Sequence, residues 1–230
     1  MQKNMAIWQT LGKSRDAMKH TSITLLTLTA AASIAQAAPA AAPAFTTSGN
    51  LAFTSDYVWR GISQNAGKFA VQGGFDATHS SGLSAGIWAS NVSAGNASLE
   101  VDVYANYAFK LGAIDASVGY IAYAYEGQSN ANFEEANLAL TYSGLTLKAS
   151  KGVAGDLNAS MYYYEANYSY DVAAIKGLNL GLHYGDDRAS NLSDYAIALS
   201  YPVLGFTGTV SYSDLEDGAH ITAVTLKKTF

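Results

Sequence analysis

The sequence has no cysteine and only 3 prolines in 230 residues. Without a thiol, an exported chain depends on no disulfide and carries nothing that could misroute in an oxidising compartment. Charge is scarce as well. Asp, Glu, Lys and Arg make up 13% of the residues, against ~25% in a typical soluble domain. Much of the surface therefore need not face water. No long uninterrupted apolar run offers a spanning helix in its place, since that needs ~20 residues. What is abundant points elsewhere: 49% hydrophobic residues, 21 Gly and 16 Tyr suit strands, tight turns and interfacial aromatics better than helices.

The amino-terminal segment predicts export. Met18-Lys19-His20 is a short positive start, residues 21–35 are uncharged and largely apolar, and Ala35-Gln36-Ala37 is a small-x-small cleavage pattern. Residues 1–37 are expected to be a signal peptide cut after Ala37. Lys3, Lys13, Arg15 and Asp16 stand ahead of an already complete signal, which favours Met18 as the true start. Removing residues 1–37 takes away four bases and one acid, moving the net charge from −5 to −8. That acidic balance argues against nucleic acid as a partner.

Residues 38–49 hold mainly Ala, Pro, Thr and Ser and are expected to form a periplasmic tail. From residue 50 to residue 230 the chain alternates with period two, broken at intervals by Gly, Asn, Ser and Asp. In residues 99–111, Leu99, Val101, Val103, Ala105, Tyr107, Phe109 and Leu111 share one face. Glu100, Asp102, Tyr104, Asn106, Ala108 and Lys110 share the other. That run exceeds the ~5–6 residues usual for a soluble strand and meets the ~9–11 of a tilted membrane crossing. Leu51, Phe53, Tyr57 and Trp59 alternate with Asn50, Thr54, Asp56 and Arg60 in the same way, which predicts a first strand over residues 50–60.

About twelve such runs follow, an even number within the range of closed bacterial barrels. Short breaks at residues 80–82, 110–113, 143–144, 171–177 and 202–205 alternate with longer polar ones at 61–67, 91–97, 126–131, 151–159, 185–193 and 213–219. Short turns on one side and longer loops on the other is the outer-membrane arrangement. The expected fold is thus an all-β, transmembrane, antiparallel up-and-down β-barrel in the cell outer membrane, surrounded by lipid. Phe230 ends the last alternating run and resembles the signal read by the barrel-assembly machinery. Lys228 falls on the apolar face of that run, near enough to the membrane edge for its stem to snorkel.

The segment Thr54-Ser55-Asp56-Tyr57-Val58-Trp59-Arg60-Gly61-Ile62-Ser63-Gln64 carries a family resemblance. So do Val71-Gln72-Gly73-Gly74-Phe75-Asp76, Gly86-Ile87-Trp88-Ala89-Ser90-Asn91 and Tyr164-Glu165-Ala166-Asn167-Tyr168. These stretches resemble the TorF family of proteobacterial porin-like proteins, and the likeness extends over essentially the whole mature chain. The resemblance implies an outer-membrane barrel. It brings no substrate, cofactor or catalytic residue.

Alternation places Asp56, Asp76, Glu100, Asp102, Glu135, Glu165 and Asp194 on the inner face, with Arg60, Lys110, Lys148, Lys227 and His183. A barrel of about twelve strands encloses more than its side chains fill, so these residues are expected to line a bore for small solutes or ions. An excess of acids in a low-dielectric wall favours cations. Against this stands a lumen closed by internal ion pairs, with Asp56 and Arg60 four residues apart on one face as the expected pair. An outer-membrane lipid-modifying enzyme is the other alternative. Its candidate is His79-Ser80-Ser81-Gly82, with no acid visibly set to orient the imidazole. The sequence shows no HExxH, P-loop or GxGxxG after a strand, and 4 scattered His make no metal site. No cofactor, metal or catalytic role is expected.

Overall fold

The computed structural model describes residues 44–155 and 161–230. The signal peptide, its cleavage point and the first part of the tail lie outside the described residues. Twelve strands form a closed antiparallel barrel. They are β1 (Phe45–Thr54), β4 (Ala70–His79), β5 (Leu83–Ala94), β6 (Ala97–Leu111), β7 (Ile114–Glu126), β8 (Phe133–Tyr142), β9 (Leu145–Gly155), β10 (Tyr162–Asp171), β11 (Asn179–Asp187), β12 (Leu192–Val203), β13 (Phe206–Leu215) and β14 (Ile221–Thr229). Two further strands, β2 (Val58–Trp59) and β3 (Ile62–Ser63), form a separate hairpin. Each barrel strand pairs with its neighbour in the chain, and β1 closes the ring by pairing with both β4 and β14. Closure leaves no strand edge in lipid, where an unpaired amide or carbonyl has no water to bind.

The two faces sort as alternation demands. Leu51, Phe75, Ile87, Val103, Val118, Leu138, Leu147, Leu182, Ile197, Leu199, Val210 and Val224 are exposed on the outside. Aromatic residues mark both ends of this apolar belt. Tyr107, Tyr142, Tyr168, Tyr170 and Tyr201 lie toward the end of the short turns, and Tyr162, Tyr164, Tyr184, Tyr195 and Tyr212 toward the other. Amphipathic rings settle at the headgroup level, so two girdles delimit the bilayer contact. The barrel therefore spans a membrane by strands, and an even-stranded antiparallel bacterial barrel of this kind is the outer-membrane form. Bacterial barrels of this kind keep their short turns on the periplasmic side. Lys228 sits at that rim, where its Nζ donates to the carbonyl of Gly205 at 2.7 Å.

Three boundaries differ from the sequence expectation. β1 starts at Phe45 and not at residue 50, because Phe45 to Gly49 pair with His79 to Phe75 of β4. The short polar side chains of Thr46, Thr47 and Ser48 read as tail, yet backbone pairing needs no apolar face. On the opposite side the strands run further than expected. β5 and β6 meet in a turn with Gly95 (φ 62°) where a loop over residues 91–97 was expected. The largest departure is residues 55–69. The first strand ends at Thr54, and the chain then turns into the barrel and builds the β2–β3 hairpin there.

A candidate pore and the loop that crosses it

The hairpin tip is Arg60-Gly61. Both residues have positive φ, 43° and 74°, the geometry that a two-residue turn needs to follow the twist of its strands. Glycine accepts that conformation at little steric cost. It also fits the space: a Cβ on Gly61 would lie 3.0 Å from the Cβ of Leu215 and 3.1 Å from that of Asp194. The tip thus rests on the wall formed by β12 and β13.

The rest of the loop is held by its own polar atoms. Tyr57 N–H donates to Asn65 Oδ1 at 2.9 Å, Gln64 N–H to the Tyr57 carbonyl at 2.7 Å, and Gly67 N–H to Ser63 Oγ at 2.9 Å. Asn65 donates in turn to the carbonyl of Lys68. Ser93 N–H donates to the Gln64 carbonyl at 2.9 Å, tying the loop to β5. Buried backbone groups need such partners. They explain why a segment so rich in Ser, Gln and Asn can leave solvent.

Around this frame aromatic side chains crowd the loop-end half of the bore. Tyr57 and Trp59 are buried with Trp88, Val92, Tyr123, Tyr125, Phe133 and Met161. Tyr57 meets Trp88 edge-on at 5.5 Å, and Tyr123 stacks on Phe133 at 4.3 Å. The expectation that Tyr57 and Trp59 face lipid is therefore corrected. They share the parity of Leu51 and Phe53, but the chain has left the wall before reaching them.

Arg60 ends on the far side of the ring. Its Nη2 donates to Glu135 of β8 at 3.1 and 3.4 Å, and its guanidinium lies 3.6 Å from the ring centroid of Tyr163 on β10. The Trp59 ring is 4.6 Å away. Four strands separate β1 from β8 in one direction and from β10 in the other, so the loop crosses the bore. The expected Asp56–Arg60 pair does not form. Asp56 accepts instead from Ser63 Oγ at 2.7 Å. Residues four apart share a face only along a straight strand, and this one has ended.

The other candidate residues sit on the inner face, Glu100, Asp102 and Lys110 on β6 and the rest on strands of their own. Glu135 also accepts from Tyr123 Oη at 3.2 Å. Glu165 pairs with Lys148 at 3.0 Å and accepts from Asn167 at 3.1 Å. His183 Nε2 lies 3.0 Å from Asp194 Oδ1, while Tyr163 Oη donates to Asp194 Oδ2 at 2.8 Å. Gly185 makes room for that contact, since a Cβ there would come within 1.9 Å of the Tyr163 hydroxyl. Glu100 accepts from Tyr57 Oη at 3.3 Å, and Asp76 from Tyr104 Oη at 2.6 Å. Among the described residues no basic side chain stands within ion-pair distance of Glu100, Asp102 or Asp76. Lys110 pairs with Asp115 at the rim of the turn end. The sequence reading missed Tyr163, Tyr123 and Trp88, which the alternation alone marks only as inward aromatics.

His79 Nδ1 lies 2.8 Å from Ser81 Oγ and accepts from Ser81 N–H at 3.2 Å. The ring packs against Phe45 at 4.7 Å. These contacts close a turn. Among the described residues no carboxylate hydrogen-bonds the imidazole, so the third member that a hydrolytic constellation needs is not assembled there. No group of His, Asp and Glu among those residues is arranged to hold a metal ion.

A family model described as "Bacterial protein of unknown function (Gcw_chp)" matches residues 37–219. It does not carry the TorF name. No curated protein matches the chain. Among solved structures, a KdgM porin is similar with a TM-score of 0.57 at 12% identity, over 80% of this chain and 98% of that one. A KdgM porin in complex with disordered oligogalacturonate gives the same TM-score, 0.57, at 12% identity and over the same shares of the two chains, 80% and 98%. At that identity the likeness is one of fold.

Proposed function

The chain belongs to the Gcw_chp family of bacterial proteins, and we propose that it is an outer-membrane porin-like channel for small solutes, cation-preferring and narrowed by its first loop. The observation that carries the reading is the bore itself. Its acids exceed its bases, and among the described residues Glu100, Asp102 and Asp76 have no basic side chain within ion-pair distance. Charges in a low-dielectric wall act strongly on a passing ion, and an acidic wall lowers the barrier for cations. The oligogalacturonate named with the similar porin is a polyanion, and the acidic wall here opposes that solute class. Asp56, Arg60, Asp76, Glu100, Asp102, Glu135, Lys148, Glu165, His183 and Asp194 are the proposed lining. Recognition of Phe230 by the barrel-assembly machinery belongs to the same proposal.

The test is the reversal potential of refolded protein in a planar bilayer under a potassium chloride gradient. A shift toward the potassium equilibrium potential supports cation preference, and a shift toward the chloride potential removes it. One observation favours a second reading. The aromatic packing around Tyr57 and Trp59 suits a barrel with a closed lumen, acting as a structural element. Absence of any conductance from correctly folded protein would support that reading.

A further inference from the structure

The hairpin tip carries a cation into a site that the far wall has built for one. The Arg60 guanidinium carbon lies 3.6 Å from the Tyr163 ring centroid, and its Nη2 donates to both oxygens of Glu135 at 3.1 and 3.4 Å. Tyr123 Oη holds Glu135 from another side at 3.2 Å, and Asp194 fixes the Tyr163 hydroxyl at 2.8 Å. Arg60, Glu135, Tyr163 and Trp59 are all at least nine-tenths buried. A buried carboxylate that takes one guanidinium nitrogen on both oxygens, with an aromatic ring at cation–π distance, favours the planar, weakly hydrated guanidinium over a compact ammonium. The receiving half of this contact, Glu135 with Tyr123 and Tyr163, belongs wholly to the wall. Arg60 reaches it on a separate two-stranded hairpin, which the Ser93 to Gln64 bond and the packing of Tyr57 and Trp59 hold against the wall.

We propose that the wall site of Glu135, Tyr163 and Tyr123 is a binding site for guanidinium-bearing solutes, and that Arg60 occupies it as a tethered surrogate. A solute with a free guanidinium competes for the site, releases the loop and so gains passage. The inference names a solute class for the channel proposed above and rests on that reading for its consequence in transport. The binding itself can be measured without it.

The experiment titrates refolded protein with L-arginine, using citrulline, which has the same shape without the charge, as the control. Trp59 and Trp88 report by fluorescence, since both stand in the aromatic packing around the loop. In Arg60→Ala the site is free, so arginine binds saturably and on the order of tenfold or more tighter than in wild type, where the tether must first leave. Citrulline gives no saturable change, and the Arg60→Ala/Glu135→Gln double variant loses the arginine response. No saturable arginine response in folded Arg60→Ala, or an equal response to citrulline, overturns the proposal.

Heat-modifiable migration in unboiled gels verifies folding of each variant. If Arg60→Ala does not fold, wild-type protein carries the test by hydrogen exchange. Arginine then speeds exchange of the Ser93 amide, which donates from β5 to the Gln64 carbonyl of the loop, and citrulline does not; no acceleration overturns the proposal. Conductance of wild type in potassium chloride alone stands or falls separately, so failure of the site and failure of the channel are distinguished.

Discussion

The two halves of the bore are built from the same alternation and end in opposite states. Toward the short turns the inner face carries Asn106, Ser117, Gly119, Asn137, Thr141, Thr146, Ser169, Asn179, Ser200 and Thr209. Their bonds are short links between neighbouring strands, such as Thr141 to Thr146 at 2.8 Å, Ser200 to Thr209 at 2.9 Å and Asn179 to Ser169 at 3.0 Å. These short side chains bond along the wall to their neighbours on the next strand. Toward the loops the inner face carries Trp88, Tyr123, Tyr125, Phe133 and Tyr163, and residues 56–65 pack among them. Strand periodicity decides which side chains face the axis. Side-chain volume and a folded-in loop decide whether the axis is open. In the channel proposed above, selection would therefore fall to the loop end and the turn end would be its vestibule.

That contrast can be broken most severely by removing its cause. Replacing residues 57–65 with a short Gly-Ser link should raise single-channel conductance several-fold, and an unchanged value would place the constriction elsewhere. Glu135→Ala should come next. It leaves a buried guanidinium without its carboxylate, a loss of about 3–5 kcal/mol for a broken buried pair. The loss should be read as a lower urea midpoint in detergent and noisier open-channel current. Gly185→Ala forces a methyl to within 1.9 Å of the Tyr163 hydroxyl and 2.5 Å of Asp194 Oδ2. Overpacking of that kind costs about 1–3 kcal/mol, measurable by the same urea titration. The smallest effect belongs to the vestibule. Thr209→Val removes the contact to Ser200 and should cost no more than about 0.5–1.5 kcal/mol, with conductance unaltered.

The barrel was legible in the sequence because lipid outside and water inside impose period two on every strand. Residues 99–111 show it most fully, and β6 spans Ala97–Leu111. The inward placement of Glu100, Asp102, Glu135, Glu165, His183 and Asp194 follows from parity alone. What parity cannot show is where a strand stops. Leu51, Phe53, Tyr57 and Trp59 keep one phase across Thr54, although the wall ends there and the last two turn inward. The signal was present in another form. Arg60-Gly61 and Ala66-Gly67 are turn sites, with φ of 43°, 74°, 56° and 72°, and two turns so close together argue for a folded loop over a straight strand. The partner of Arg60 was beyond reach, since Glu135 lies 75 residues away in sequence and only closure of the ring brings it near.

The claim on which all of this depends is that residues 56–65 are packed inside the barrel. Hydrogen–deuterium exchange of refolded wild-type protein tests it without any substitution. The Tyr57, Gln64 and Ser93 amides donate to Asn65, Tyr57 and Gln64 respectively, so they should exchange as slowly as strand amides of β5 and β6. Complete exchange of Tyr57 and Gln64 within the time taken by the exposed residues 216–220 would contradict the account, because it would return the loop to solvent and empty the constriction.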